Sequence, residues 1–322
     1  MVLILTSSGD YSTDCVIDWL KYYQAKFIRL NSEDLIDERF KIFIGQSPGL
    51  SITVNDKMVP LHEIKAIWFR KFYFTNTSAF IENFPVGRFR KEKMLAINQQ
   101  KSILKFIVLS LKDKKWLPRP FDLPLNKPYV VYQALRIGMK IPQTIITNTK
   151  EYISSDYEII TKSICDATNV ISSSGRRYFG FTSEINSNYI GMIPNTFSPS
   201  MIQEKIDKAY ELRIFYLCGE IFGMAIFSQS IDQTRVDFRK YNWEKPNRYE
   251  PVSVPKELKD KIKLLMNVLK LNTGSLDFIK AKDGNYYFLE INPTGQFGMM
   301  EGPCNYPLHK RVAQVLVAMD KG

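Results

Sequence analysis

Three residues near the end of the chain have the types and spacing to hold a hard cation. One segment reads Gly274-Ser275-Leu276-Asp277-Phe278, and a second reads Phe288-Leu289-Glu290-Ile291-Asn292-Pro293-Thr294-Gly295. Side chains two apart on a strand share a face. Glu290 and Asn292 therefore point the same way, and Asp277 meets them if the two segments pair. Two carboxylates and an amide oxygen suit Mg²⁺, which keeps few protein ligands and completes its shell with water and phosphate oxygens. Leu289, Ile291 and Phe288 surround the acidic position, where a bare buried charge is costly. Pro293 stops the second strand and Gly295 frees the backbone beyond it.

Such a site needs a hairpin. Lys282-Asp283-Gly284-Asn285, between apolar-rich runs at 275–281 and 286–291, is a strong turn signal. Residues 211–217 and 221–228 alternate like antiparallel strands about Cys218-Gly219-Glu220. Residues 256–271 carry Leu258, Ile262, Leu265, Met266 and Leu269 at helical spacing. Further upstream, 130–138 reads as a helix closed by Gly138, and 142–147, 157–162 and 201–203 read as strands. The opening is β-α-β: an apolar strand at 2–6, a helix at 13–23 and a strand at 26–30. Strands at 40–44, 50–54 and 67–69 and a helix at 92–111 follow. Pro118, Pro120, Pro124 and Pro128 crowd 116–128, which reads as a linker. Residues 308–319 form a closing helix. The expected fold class is α/β (α+β), in three parts: 1–115, 116–200 and 201–322.

Composition narrows the function. The 322 residues are 45% hydrophobic and 24% charged, as in a soluble globular protein. No apolar run approaches the ~20 residues of a membrane span, and the first residues lack the basic region of a signal peptide. Cys15, Cys165, Cys218 and Cys304 lie far apart with no CxxC pair, so reduced thiols in a cytoplasmic protein are expected, with no disulfide framework or zinc site. Two histidines, His62 and His309, argue against histidine-based catalysis. The 44 Lys and Arg against 33 Asp and Glu give a net charge of +11, a field that attracts polyanions such as nucleotides, nucleic acid, anionic membranes or acidic peptides.

Asp277 with the Glu290-Ile-Asn292-Pro293 run resembles the metal signature of the ATP-grasp superfamily. Further features occur in that family's order. Lys127, in Asn126-Lys127-Pro128, resembles its first nucleotide lysine, and Lys162, ending Ile159-Ile160-Thr161-Lys162, its second. Residues 172–177 resemble its small loop over the phosphates. Gln203-Glu204-Lys205-Ile206 resembles the hinge that holds adenine through its backbone. Glu211-Leu212-Arg213 resembles the pairing of a ribose-binding glutamate with an arginine that stabilises the transferring phosphoryl group. The resemblance implies an ATP-grasp fold with a pre-ATP-grasp domain, ATP and Mg²⁺ as cofactors, and Asn292 near both.

A narrower resemblance lies in the opening Leu-Ile-Leu-Thr-Ser-Ser-Gly-Asp, in Ile67-Trp68-Phe69-Arg70-Lys71 and in Val236-Asp237-Phe238-Arg239. These are similar to the graspetide maturases, the microviridin-type and grasp-with-spasm peptide ligases. It implies an enzyme that joins Asp or Glu side chains of a ribosomal precursor peptide to Ser/Thr hydroxyls or Lys amines. It makes Asp237 and Arg239 candidates at the core peptide, with Arg70 beside Arg239 as a fork for the substrate carboxylate. It implies a homodimer, and neither nucleic acid nor membrane as partner. The alternative within ATP-grasp is a ligase adding an amino acid to a small molecule or protein C-terminus.

Overall fold

The computed structural model describes residues 1–46, 49–72, 90–118, 125–153, 158–164, 170–171, 177–178, 182–228 and 246–322. The chain divides into two units: Met1–Leu123 with Gln296–Glu301 and Pro307–Gly322, and Pro124–Gly295 with Gly302–Tyr306.

In the first unit, β1 (Val2–Thr6) is buried throughout and pairs in parallel with β2 (Phe27–Asn31) and β6 (Ala66–Phe69). α1 (Tyr11–Tyr22) connects β1 to β2, and Asp10 caps it by accepting from Thr13 N at 3.2 Å. That cap starts the helix at Tyr11, two residues before the expected start at 13. An antiparallel sheet of β3 (Lys41–Phe43), β4 (Ser51–Val54) and β5 (Lys57–Pro60) is inserted before β6. After α2 (Arg90–Ser110), β7 (Lys115–Leu117) completes the order β2-β1-β6-β7. The linker expected from 116 is corrected here. Trp116 and Leu117 are buried in the sheet, and Trp116 Nε1 donates to Leu111 O at 2.9 Å.

In the second unit, α3 (Lys127–Arg136) begins at Asn126, whose side chain caps Tyr129 N, and carries Pro128 in the first turn, where its missing N–H costs nothing. The linker expected to run to 128 therefore stops earlier. A four-stranded antiparallel sheet has the order β12-β9-β13-β8: β8 is Thr144–Thr149, β9 Ile159–Lys162, β12 Ser183–Ile185 and β13 Thr196–Glu204. Two-residue strands β10 (Val170–Ile171) and β11 (Arg177–Tyr178) pair separately, and α4 (Ser187–Met192) precedes β13.

The five-stranded antiparallel sheet has the order β16-β15-β14-β17-β18. Its strands are β14 (Lys208–Leu217), β15 (Glu220–Phe227), β16 (Arg248–Pro251), β17 (Thr273–Ala281) and β18 (Tyr286–Asn292). α5 (Lys256–Val268) buries Leu258, Ile262, Leu265 and Met266 in the cluster formed by Leu212, Ile214, Leu276, Phe278, Phe288 and Ile291. Each such side chain contributes roughly 2 kcal/mol. One face of the sheet is thereby filled; the opposite face carries Glu211, Arg213 and Asp277 beside buried Phe215, Met224 and Ile226.

After the short α6 (Glu301–Cys304), α7 (Leu308–Lys321) packs on α1 and buries Leu308, Val312, Ala313 and Leu316. The closing helix thus belongs to the N-terminal unit rather than to the 201–322 segment, because its apolar face is covered there.

Candidate active site

The face of the five-stranded sheet opposite that core carries a polar row set by strand register. Arg213 on β14 stands opposite Asp277 on β17, and Asp277 opposite Glu290 on β18. Ser275 stands opposite Asn292, one step along on the same face. Arg213 Nη1 donates to Asp277 Oδ1 at 2.5 Å and Oδ2 at 2.7 Å. Arg213 is 8% exposed, so this charge-assisted pair is shielded from water.

A bulge makes the row possible. Asp277 pairs with Glu290, but Phe278 pairs with Phe288, so Leu289 is an extra residue on β18. Without it, Phe288 and Glu290 share a face. With it, Phe288 enters the core against Phe278, ring centroids 5.3 Å apart, while Glu290 joins Asp277. Beyond β18, Asn292 Oδ1 accepts from Thr294 N at 3.1 Å, and a Cβ on Gly295 would lie 2.7 Å from Ser275 Cβ. The glycine lets the chain cross closely over β17 just past the row.

The donor set fits a magnesium ion. Two carboxylates and an amide oxygen are brought to one face, one carboxylate already balanced by Arg213. No cluster of three or more Asp, Glu, His or Cys side chains occurs among the described residues.

Glu211, two residues before Arg213, lies on the same face. Burial raises its pKa, against the opposing effects of Lys208 and the Ser228 hydroxyl. Lys208 Nζ is paired with its Oε1, and Ser228 Oγ donates to that same oxygen at 3.0 Å. Lys208 and Ser228 were not expected from sequence. Three positions apart on a regular strand, Lys208 and Glu211 fall on opposite faces. Only the register shift between Lys208 and Tyr210 brings them together.

β13 ends at Glu204 and β14 begins at Lys208, so the hinge residues span the connection between the two sheets. Gln203 is buried, its Nε2 donating to Thr144 Oγ1 at 2.9 Å. Glu204 N and Lys205 N donate to Gln143 O and Glu158 O at 2.9 and 2.8 Å. Ile206 N has no partner among the described residues, which leaves a backbone donor for a flat ring. Lys205 is tied to Glu158 at 2.7 Å and Glu184 at 2.6 Å. Burial opposes its charge, but the two carboxylates outweigh it and raise its pKa. Lys162 closes β9 opposite Met201, and Lys127 opens α3. Asp237, Arg239 and the loop at 172–176 lie outside the described residues.

Arg70 is placed otherwise than expected. It is 2% exposed, its Nε donates to Asp10 Oδ2 at 3.2 Å, its Nη2 to Gln296 Oε1 at 3.0 Å, and it lies over the Phe297 ring. A guanidinium so enclosed holds the end of β6 and offers no fork to solvent. Burial disfavours the Asp10 charge, but Arg70, Thr13 and Lys71 outweigh it, and its pKa is held below the usual carboxylate value.

Residues 1–119 match the family described as the MvdD pre-ATP grasp domain. No curated protein sequence matches the chain. Among solved structures, the chain is similar to macrocyclase MdnC bound with precursor peptide MdnA from Microcystis aeruginosa MRC, with 26% identity, 99% of each chain covered and a TM-score of 0.83. It is also similar to a RiPP-associated ATP-grasp ligase from Chryseobacterium gregarium in complex with ADP and a leader and core peptide. There the identity is 23%, the coverage 100% of this chain and 97% of the other, and the TM-score 0.85. A third is ATP-grasp ligase PsnB complexed with a phosphomimetic variant of its minimal precursor, Mg and ADP, at 16% identity, 99% and 98% coverage and a TM-score of 0.73. The chain thus has the ATP-grasp fold and is an ATP-dependent ligase, opening with a segment, residues 1–119, that matches the MvdD pre-ATP grasp domain.

Proposed function

We propose that this ligase is a peptide macrocyclase. It activates Asp or Glu side chains of a ribosomally made precursor and joins them to Ser/Thr hydroxyls or Lys amines of the same peptide, giving ester or amide cross-links. The observation that carries the reading is the Arg213–Asp277–Glu290 row in a chain alike over 99% of its length to a macrocyclase bound with its precursor.

A carboxylate does not condense with an alcohol or amine at neutral pH. Phosphoryl transfer from ATP makes it an acyl phosphate, which the nucleophile opens with loss of phosphate. In such a transfer the protein positions groups and neutralises charge. Asp277, Glu290 and Asn292 would hold Mg²⁺, which would supply positive charge to the phosphate oxygens. Lys127 and Lys162 draw the phosphates as point charges. The 203–206 hinge seats adenine, with Ile206 N as donor, and Glu211 accepts from the ribose. Arg213, fixed by Asp277, stabilises charge on the transferred group and then on the tetrahedral oxyanion. Arg239 docks the substrate carboxylate, and Asp237 orients or deprotonates the attacking group. Arg70 acts within the N-terminal unit as a structural anchor.

We assign the four-stranded and five-stranded sheets to the central and C-terminal ATP-grasp subdomains. The partner is an acidic peptide with a leader segment, steered by the +11 charge; nucleic acid and membrane are not partners. The enzyme works as a homodimer in the cytoplasm. No helix among the described residues is long and apolar enough to cross a membrane. A ligase for free amino acids would share every nucleotide contact. ADP release, measured with ATP and Mg²⁺ alone, with amino acids, or with an acidic Ser/Thr/Lys-containing precursor, separates the two. Stimulation by the precursor alone supports the macrocyclase; stimulation by amino acids alone overturns it.

A further inference from the structure

Lys208 opens β14 at a register irregularity. Its Cα partner is Ala281, whereas Tyr210 pairs with Lys280, so Ala209 is an extra residue. A bulge of this kind re-aims a side chain. Here it turns Lys208 onto the face of Glu211, which a regular strand denies it. Ser228, the first residue after β15, is fully buried and reaches the same carboxylate from the neighbouring strand.

Both donors take one oxygen. Lys208 Nζ pairs with Glu211 Oε1, and Ser228 Oγ donates to it at 3.0 Å. Oε2 has no donor among the described residues. The side chains of Lys208 and Glu211 are only 8% and 12% exposed, so water competes poorly for either. Two donors on one oxygen fix the carboxylate plane as a single contact cannot.

We infer that Lys208 and Ser228 form a clamp that holds Glu211 so as to present one oxygen, Oε2, to the ribose of the nucleotide, with Lys208 as a positioning residue for sugar recognition. The inference rests on the reading of Glu211 as the ribose acceptor. A carboxylate that offers one oxygen grips one hydroxyl well, so the enzyme discriminates between the two ribose hydroxyls. It also explains the bulge, which orients the acceptor at the expense of a regular ladder.

The test is calorimetric titration of ATP, 2′-deoxy-ATP and 3′-deoxy-ATP, each with Mg²⁺, into the full chain. Wild type binds one deoxy analogue about tenfold more weakly than ATP, the worth of one hydrogen bond to a charged acceptor, and the other within about twofold. Lys208→Met loses the discrimination, because ATP falls to the level of the weaker analogue. Lys208→Arg restores most of it. Ser228→Ala, which removes the second donor without disturbing the pair, narrows the gap and carries the test if Lys208→Met does not fold. Lys208→Met weakening all three nucleotides by one factor, or discriminating as wild type does, overturns the clamp alone. Equal loss with both analogues in wild type overturns the single-oxygen presentation. Wild type that binds all three alike overturns the ribose reading of Glu211 and the clamp with it.

Discussion

Replacing Arg213 probes the row at its centre. The guanidinium is 8% exposed, and its Nη1 meets both oxygens of Asp277 at 2.5 and 2.7 Å. It is therefore oriented before any substrate arrives, which is what makes a donor effective at a developing charge. Removing one such preorganised donor costs about 10²–10³ in rate, or roughly 3–4 kcal/mol. Arg213→Ala should lower the peptide-dependent kcat for ADP release by that factor, with ATP binding much less affected. It also deprives the partly buried Asp277 of its partner, at a stability cost of about 1–3 kcal/mol. Arg213→Lys keeps the charge but not the planar fork, so it should recover most of the stability and little of the rate. Melting curves and steady-state rates on the same samples separate the two effects. A loss under about tenfold in a folded Arg213→Ala protein, below the range for a preorganised donor, would refute the catalytic role. Full rate in Arg213→Lys would refute the geometric argument.

Gly295→Ala places a Cβ 2.7 Å from Ser275 Cβ and 3.0 Å from Asn292 O. The end of β18 must shift, so the Mg²⁺ concentration for half-maximal rate should rise and the rate fall about tenfold or more; unchanged Mg²⁺ titrations contradict this. Glu290→Gln keeps the shape but removes an anionic oxygen, and should raise the Mg²⁺ requirement while leaving the melting temperature within a few degrees of wild type; an unchanged Mg²⁺ requirement removes Glu290 from the metal site. Asp10→Asn keeps a cap on α1 but breaks the pair with Arg70 and Lys71, at a cost of about 3 kcal/mol at pH 7. The folded-state pKa of Asp10 is depressed below 3.8. Its contribution is therefore present above that value and lost as pH falls through the folded pKa. Urea unfolding at pH 7, 5 and 3 should show the gap between wild type and variant narrowing only at the lowest pH; a constant gap rejects the ion pair as its source.

Much of the site is written in local pattern. The shared face of Asp277, Glu290 and Asn292 is readable because a turn signal at Lys282-Asp283-Gly284-Asn285 fixes the pairing and a two-residue spacing fixes the face. Gln203-Glu204-Lys205-Ile206 and Glu211-Leu212-Arg213 stand out in sequence only as ordered motifs, and the structure places them at the end of β13 and on β14. What escaped depends on register shifts and long-range packing. The extra residue Leu289 sends Phe288 to the core, and the extra residue Ala209 turns Lys208 toward Glu211. Neither bulge leaves a mark in residue type. Trp116 and Leu117 looked like the start of a proline-rich linker, because nothing local shows that a fourth parallel strand awaits a partner in β6. The closing helix carries an apolar stripe that fits any core, and only the tertiary structure assigns it to α1. Arg70 resembled a substrate fork because its partners Asp10 and Gln296 lie 60 and 226 residues away in sequence.

The central claim is condensation within a peptide driven by ATP. Its most direct test is the intact mass of an acidic precursor after incubation with the enzyme, ATP and Mg²⁺. Losses of about 18 Da per bond are expected, one water for each acyl-phosphate condensation, matched by ADP and abolished in Arg213→Ala and Glu290→Ala. An unchanged precursor mass, with ADP formed only when free amino acids or other small carboxylates are supplied, contradicts it.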